Sequence, residues 1–206
     1  MIGGSIAAHR EAITSRIFDA LGELMHTEGY EAISLADVAA KADLARTTMY
    51  NYFPDKDALA VAYAEREVDK YVASLTDQLA RADNPVDQLR LYIRRQLRYF
   101  ATHHMPPGRT LQSMLPTTTY QRLVHHVQLL ETILAGILGD GEATGYFTPN
   151  TAAALPLVAA CVNRGGPGAF DDVDLDDEID ATETFVLRAL GARLDAEGKA
   201  VVVQSK

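Results

Sequence analysis

The sequence feature that most constrains the fold is residues 33–56, ISLADVAAKADLARTTMYNYFPDK, because it carries the start and stop signals of two short helices. Ser34 stands at an N-cap position, and Asp37 follows three residues later as the acidic partner of a capping box. This pair predicts a helix that begins at about Leu35. Asp43 then predicts a tight turn, since aspartate tolerates the left-handed backbone conformation that such turns use.

A second short helix is predicted after this turn, and its side chains divide between two faces. Met49, Tyr52 and Phe53 recur at the spacing of a buried helical stripe. The side chains that then point outward are those of Arg46, Thr47, Tyr50 and Asn51. Two short helices joined by a tight turn predict a helix-turn-helix, which places its second helix in the major groove of DNA.

The outward side chains have the hydrogen-bonding groups that DNA recognition needs. Arginine forms two hydrogen bonds with guanine, and asparagine forms two with the edge of adenine. The methyl group of threonine contacts that of thymine, and hydroxyl groups donate hydrogen bonds to phosphates. Asp55 is the predicted N-cap of the next helix, and Lys56 in its first turn opposes the helix dipole unless a phosphate binds there. We therefore predict DNA contacts from Ser34, Ala45, Arg46, Thr47, Thr48, Tyr50, Asn51, Tyr52 and Lys56.

The order of these motifs resembles the DNA-binding domain of the TetR family of transcriptional repressors. The motifs are residues 28–30 (EGY), 33–39 (ISLADVA) and 48–59 (TMYNYFPDKDAL), within a resemblance that covers roughly residues 10–60. The chain departs from the family pattern at two positions. Asp43 stands where glycine is common, and Ala45 stands where serine is common.

The resemblance implies an all-α protein of about nine helices in two domains. Residues 1–55 would form the helix-turn-helix DNA-binding domain, and residues 56–206 a helical effector-binding and dimerisation domain. The implied protein is a homodimer that binds a palindromic operator in double-stranded DNA and is released from it by a small-molecule effector. The long helix from Asp55 would transmit the effect, and the last two long helices, including residues 152–160 and 185–190, would pair with those of a second copy.

The charge balance opposes non-specific binding to nucleic acid. The chain has a net charge of −9, and residues 1–56 alone carry five Lys or Arg against eight acids, which gives −3. Non-specific affinity for DNA comes from cations that displace counterions. The predicted domain must therefore rely on a few well-placed contacts.

An effector pocket is predicted between the helices of residues 85–138. Aromatic, amide and imidazole side chains there fit an apolar cavity with a few polar contacts. The candidates are Tyr92, Gln96, Tyr99, Phe100, His103, Met114, Tyr120 and His125. An ordinary helical core with hydrated edges has the same composition, and the sequence leaves both interpretations open.

Two pairs of adjacent histidines suggest metal binding, but their spacing is unfavourable. Neighbouring residues on a helix point about 100° apart, so at most one of His103 and His104 could share a site with one of His125 and His126. We predict no metal and no cofactor. Cys161 is the single cysteine, which excludes an internal disulfide, and its apolar surroundings predict a buried structural thiol.

Helical periodicity and helix-ending residues predict the other elements. The predicted helices are residues 9–28, 55–82, 85–104, 110–115, 118–138, a segment from Thr148 to about Gly165, and 176–194. Residues 139–141 and 145–147 are predicted to frame a loop, and Pro156 predicts a kink or a local break. No strand is predicted, and residues 195–206 are expected to be disordered or to pack as an arm.

A stripe of arginines, Arg90, Arg94 and Arg98, leaves two interpretations open. The stripe is either a solvated basic face or a set of partners for an anionic ligand or for acids across an interface.

Catalytic motifs are absent from the sequence. It contains no Gly-x-Ser-x-Gly, no phosphate-binding glycine loop and no HExxH, and we predict no enzyme. The alternative is a helical ligand-binding or enzymatic protein with a vestigial helix-turn-helix. No membrane-length apolar run and no signal peptide occur, so a cytoplasmic protein without membrane contact is expected.

Overall fold

The computed structural model describes residues 3–102, 117–148, 150–163 and 174–202, and these contain eight α-helices. The chain divides into two compact units, Met1–Glu67 and Val68–Lys206. Each unit has a hydrophobic core of its own. No helix within the described ranges is both long enough and apolar enough to cross a membrane.

The first unit is built from three helices and the start of a fourth. Its elements are α1 (Gly3–Glu28), a 3-10 turn (Tyr30–Ala32), α2 (Leu35–Lys41), α3 (Arg46–Tyr52) and the first part of α4 (Lys56–Leu79). Its core is formed by Ile17, Phe18, Leu21, Leu24, Ile33, Leu35, Val38, Met49, Phe53 and Leu59, with smaller alanines between them. The sequence predicted all of these helices.

The boundary between the units lies inside α4, whereas the sequence placed it before this helix. Leu59 and Tyr63 of α4 pack into the core of the first unit. Arg66 donates to Asp19 of α1 at 2.8 Å, and its guanidinium lies 4.6 Å from the ring centre of Phe18. The first turns of α4 therefore complete the first unit.

The second unit packs four further helices and a short hairpin against the rest of α4. These elements are α5 (Pro85–Thr102), α6 (Thr117–Ala143), α7 (Thr151–Val162), α8 (Leu175–Ala189), β1 (Arg193–Leu194) and β2 (Ala200–Val201). α5 lies against α6, α7 and α8. It contributes Leu89, Ile93 and Leu97, none of which is exposed, to the core.

The arginine stripe of α5 pairs with groups of its own chain, whereas the sequence left open a solvated face, an anionic ligand or acids across an interface. Arg94 donates to both carboxylate oxygens of the buried Glu183. Arg98 donates to Asp176 at 2.8 Å, and Arg90 donates to the backbone carbonyl of Gly198 at 3.1 Å. The stripe thus joins α5 to the C-terminal elements of its own chain.

The first part of the predicted loop, at Gly139 and Gly141, is wrong, because α6 continues through both residues to Ala143. Gly141 serves packing. A Cβ atom built on it would lie 2.0 Å from the buried ring of Phe147, so only glycine leaves room for that ring. The chain turns at Gly145, within the second part of the predicted loop, where a φ of 78° is left-handed.

The predicted start of the following helix at Thr148 is also wrong, since α7 begins at Thr151 after Asn150. Asn150 makes no capping bond, and its φ is 88°. The carboxylate of Glu142 accepts from the backbone N–H of Thr151 at 3.0 Å, and it also accepts the hydroxyl of that residue. A distant side chain thus replaces the local cap. α7 continues across Pro156 to Val162.

The C-terminal segment forms a hairpin where the sequence predicted a helix to Leu194 and no strand. α8 ends at Ala189, and β1 pairs antiparallel with β2. Asp195 makes the turn by accepting from the backbone N–H groups of Glu197 and Lys199, each at 2.9 Å. Strands of two residues are too short for the alternation that identifies a strand in a sequence.

Some predictions lie outside the described residues. These are the short helix at residues 110–115 and the last two residues of the helix predicted for residues 85–104. Cys161 is half-buried against the core of the second unit, not fully buried as predicted.

The packing of Phe147 predicts opposite effects for two glycines of α6. Gly141→Ala is expected to lower the free energy of unfolding by about 1–3 kcal/mol, because its methyl group displaces a buried ring. Gly139→Ala is the matched control, since a Cβ atom added there would meet no packing neighbour within 4 Å. It should raise stability by about 0.5–1 kcal/mol through helix propensity. Urea unfolding of both variants measures the difference, and equal effects would contradict the packing role of Gly141.

Candidate nucleic-acid interface

The N-terminus of α2 has the capping box that the sequence predicted. The hydroxyl of Ser34 accepts from the backbone N–H of Asp37 at 3.3 Å, and the carboxylate of Asp37 accepts from the backbone N–H of Ser34 at 2.9 Å. The hydroxyl of Ser34 also donates to this carboxylate at 2.6 Å. Its proton is therefore used within the helix cap, although Ser34 remains one of the predicted DNA contacts.

The capping bonds change the acidity of Asp37. Hydrogen bonds from the hydroxyl and then the backbone N–H of Ser34 hold the pKa of Asp37 below its ordinary value of 3.8, and the charge of Arg46 lowers it further. The carboxylate is thereby kept ionised at the start of α2, where a negative charge also opposes the positive end of the helix.

The turn between α2 and α3 is held by a residue that the sequence analysis did not identify. Asp43 takes the predicted left-handed conformation, with a φ of 53°. Arg16 of α1 donates to the carbonyl oxygens of Ala42 and Asp43, the second at 3.2 Å. Arg16 lies 26 residues before Ala42, so no local pattern connects the two. This arginine fixes the turn that aims α3.

α3 has the two faces that the sequence predicted. Met49 is fully buried, Phe53 is buried directly after the helix, and Tyr52 is half-buried. Four side chains are exposed to solvent, and they are Arg46, Thr47, Tyr50 and Asn51. Thr48 is half-buried at the edge between the two faces.

The start of α3 has no side-chain cap. Ala45 stands at the N-cap position with no hydrogen bond from its side chain. Serine at this position would supply an acceptor for the first N–H groups of the helix. These N–H groups are instead left to solvent or to an incoming phosphate.

Lys56 has internal partners that the sequence did not indicate. Its ammonium group donates to the carbonyl oxygen of Tyr30 at 3.0 Å and lies 4.2 Å from the centre of the Tyr30 ring. The hydroxyl of Tyr30 donates to Asp57 at 2.8 Å. The cation at this helix start is thus stabilised by its own unit, although an ammonium group has further donors that could reach a phosphate.

The structure describes the side chains of four of the eight predicted pocket residues. Tyr92 and Gln96 are buried and hydrogen-bonded within the protein. The hydroxyl of Tyr92 donates to the carbonyl oxygen of Leu130 at 3.2 Å. The amide of Gln96 accepts from Tyr71 at 2.7 Å and donates to Asn163 at 3.2 Å. Burial raises the pKa of both tyrosine hydroxyls, so they remain protonated donors.

The aromatic end of α5 is more open. Tyr99 and Phe100 are half-buried, and the ring of Tyr99 packs 4.4 Å from that of Tyr71. His103 and Met114 lie outside the described residues, as do the side chains of Tyr120 and His125. Among the side chains that are described, no group of three His, Cys, Asp or Glu could hold a metal ion.

A family model matches the unit that contains this interface. Residues 17–63 match the model described as bacterial regulatory proteins, tetR family. The KstR repressor of Mycolicibacterium smegmatis is 31% identical over 132 residues, which are 63% of this chain and 64% of that protein. The chain thus spans less than two thirds of that repressor, and it spans a smaller share of other curated relatives.

Solved structures share the fold over most of the chain. A transcriptional regulator from Saccharomonospora viridis, in complex with choline, superposes with a TM-score of 0.71 at 16% identity, over 86% of this chain and 96% of that chain. FadR from Bacillus subtilis, in complex with stearoyl-CoA, superposes with a TM-score of 0.59 at 19% identity, over 85% and 96% of the two chains. At these identities the similarity concerns the fold alone.

The capping box predicts a stability difference that depends on pH. Asp37→Asn should lower the melting temperature of the first unit near neutral pH, because asparagine cannot supply the charged acceptor. A folded-state pKa below 3.8 stabilises the fold above that pH, and this contribution is lost as the pH falls through the lowered value. The difference from the parent should therefore be full above pH 3.8 and shrink as the pH falls below it. Thermal melts followed by circular dichroism measure it.

The control variant for this measurement is Glu11→Gln, which removes one negative charge from an exposed position of α1. It should melt like the parent both above and below pH 3.8. A difference for Asp37→Asn that persists at low pH would contradict the capping role of the charge.

Proposed function

We propose that the chain is a member of the TetR family of bacterial regulatory proteins, whose model matches residues 17–63, and that it is a transcriptional repressor of a palindromic operator. α3 enters the major groove, the protein binds as a homodimer, and a small-molecule effector releases it. The observation that carries this proposal is the division of α3 into a buried face at Met49 and a solvent face with groups that recognise bases.

The exposed side chains of α3 give the proposed recognition its chemistry. Arg46 can fork onto a guanine, and Asn51 can pair with an adenine edge. Tyr50 is 56% exposed, which is high for a large aromatic side chain. Its ring can pack on a base edge or on the sugar-phosphate backbone, while its hydroxyl donates to a phosphate.

A dimer is proposed because one helix of seven residues makes too few contacts for a specific site. Two copies related by a two-fold axis would place their α3 helices one helical turn of DNA apart. Family resemblance directs the dimer interface to α7 and α8. On these helices Leu157 is 69% exposed and Phe185 is 63% exposed. Ala160 and Ala181 lie beside Phe185 on a shallow surface groove.

The proposed interface differs in part from the sequence prediction. Val186, Leu187 and Leu190 were assigned to it, but they are buried in the core of their own unit. Of the predicted segment 185–190, Phe185 is the large apolar side chain that remains for a second copy. Ala152 and Ala153 are exposed on α7, as a close helix contact would need.

The effector proposal rests on the second unit. Related folds hold choline in one solved structure and stearoyl-CoA in another, so the fold accepts ligands of very different size and charge. Tyr99 and Phe100 at the open end of α5, with the buried amide of Gln96, are the described residues that we propose for the pocket wall. α4 belongs to both units, so we propose it as the connection that transmits effector binding to α3.

The rival function is a helical ligand-binding or enzymatic protein in which the helix-turn-helix is vestigial. A vestigial domain has no need for an exposed tyrosine on α3, nor for the arginine that fixes the turn before it. A mobility-shift assay with the DNA that flanks the gene separates the two functions. No specific shift at moderate salt would favour the rival.

Replacement of the exposed side chains of α3 should abolish operator discrimination. Arg46→Ala and Tyr50→Ala each remove a base contact worth about 1–3 kcal/mol, and both side chains are exposed, so the fold should be retained. Competition between operator and random duplex in fluorescence anisotropy measures discrimination. Arg81→Ala, at an exposed ion pair with Asp77 in the second unit, is the matched control. Parental discrimination in either α3 variant would remove that residue from the interface.

Disruption of the proposed dimer face should produce monomers that bind the operator weakly. Phe185→Glu places a charge at the centre of an interface whose burial would leave it unpaired. Leu129→Glu is the matched control, because Leu129 is also exposed, at 38%, but lies on α6. Sedimentation velocity gives the oligomeric state. A Phe185→Glu protein that remains dimeric would place the interface elsewhere.

A further inference from the structure

The cations of the first unit are mostly occupied by internal contacts. Lys41 pairs with Glu23 at 2.7 Å, and Arg66 pairs with Asp19 at 2.8 Å. The contacts of Arg16 with the turn and of Lys56 with Tyr30 are described above. Each of these four residues donates to a carboxylate or a carbonyl group of its own unit. Some of their donors are therefore already used within the unit.

Two cations remain within the described part of the first unit, and they are Arg10 and Arg46. Neither donates a side-chain hydrogen bond or forms an ion pair to another described residue. Both are exposed. Arg46 begins α3, and it already belongs to the predicted interface.

Arg10 lies on α1 but reaches the other end of α3. Its guanidinium carbon is 5.3 Å from the centre of the Tyr52 ring, and Tyr52 is the last residue of α3. A guanidinium that stacks on an aromatic ring is held in place by the ring while its N–H groups, which lie in the guanidinium plane, stay available. Those N–H groups match the paired oxygens of a phosphate.

The two unpaired cations thus lie at opposite ends of α3. A helix of seven residues is about 10 Å long, which is close to the width of the major groove, about 12 Å. We propose that Arg10, positioned by the ring of Tyr52, binds a DNA backbone phosphate beside the groove that α3 enters. This inference rests on the proposed function, and it adds a phosphate contact from α1 that the motif of α2 and α3 does not contain.

The salt dependence of DNA binding tests the inference directly. Each phosphate contact contributes about 0.9 to the slope of log affinity against log salt concentration. Arg10→Gln should therefore reduce the slope by about 1.8 for a dimer. Equivalently, the affinity gap between parent and variant should narrow about tenfold between about 50 and 200 mM salt. The effect should occur with a random-sequence duplex as well as with a duplex that the parent selects from a random pool.

Lys41→Gln is the matched control, because it removes one positive charge from the same unit at a residue already paired with Glu23. Its slope should equal that of the parent. Arg10→Lys keeps the charge but loses the planar fork, so it should bind more weakly with a parental slope. Tyr52→Phe keeps the ring and should keep the slope, whereas Tyr52→Leu should make it shallower. Circular dichroism confirms that each variant keeps its helices.

The outcomes separate failure of the inference from failure of the proposed function. A parent that selects no duplex and shows no specific shift refutes the repressor function itself. If the parent binds and Arg10→Gln keeps the parental slope, Arg10 is not a phosphate contact. An equal loss of slope in Lys41→Gln would show diffuse attraction instead of a defined contact. A salt dependence that is shallower in Arg10→Lys than in the parent would show that the positive charge at residue 10 does not by itself cause the parental slope.

Discussion

Burial of Met49 beneath α3 is the contact on which the proposed DNA-binding surface depends. This side chain is fully buried in the core that α1 and α2 help to form, and Phe53 closes that core just beyond the helix. A helix of seven residues is too short to be stable alone, so its orientation comes from this packing. With Met49 inward, helical periodicity turns Thr47 and Asn51 toward solvent, and Tyr50 and Arg46 are also exposed. The same short segment therefore specifies both the core and the surface.

The acidic charge of the chain and the packing of α3 both affect how selective the proposed DNA binding would be. In the first unit, cations such as Arg16 and Arg66 are used to hold helices and turns in place. Because paired cations release few counterions from DNA, we expect such a unit to have little affinity for random sequence. Specific binding then depends on the base contacts that the buried face of α3 orients. A low background affinity also favours discrimination among the many competing sites of a genome.

The sequence predicted the elements whose signals are local. The capping box of Ser34 and Asp37 and the left-handed Asp43 lie within one or two helical turns of the structure that they specify, and the outward face of α3 follows from periodicity. Long-range contacts were not predictable. Glu142 caps α7 from the end of α6, and Gly141 resembles a turn residue although it makes room for a ring that arrives later in the chain.

The difference between local signals and long-range contacts also explains which cations could be predicted from the sequence to contact DNA. Lys56 was selected because its place in a helix start has a local physical meaning, yet its ammonium group rests on Tyr30, 26 residues away. Arg10 has no local signal, since Tyr52 is brought beside it by the fold. Whether a charge is available to a ligand depends on which partners the fold has already given it. Local patterns can therefore place a recognition helix, while the phosphate contacts around it must be found from the tertiary contacts of each cation.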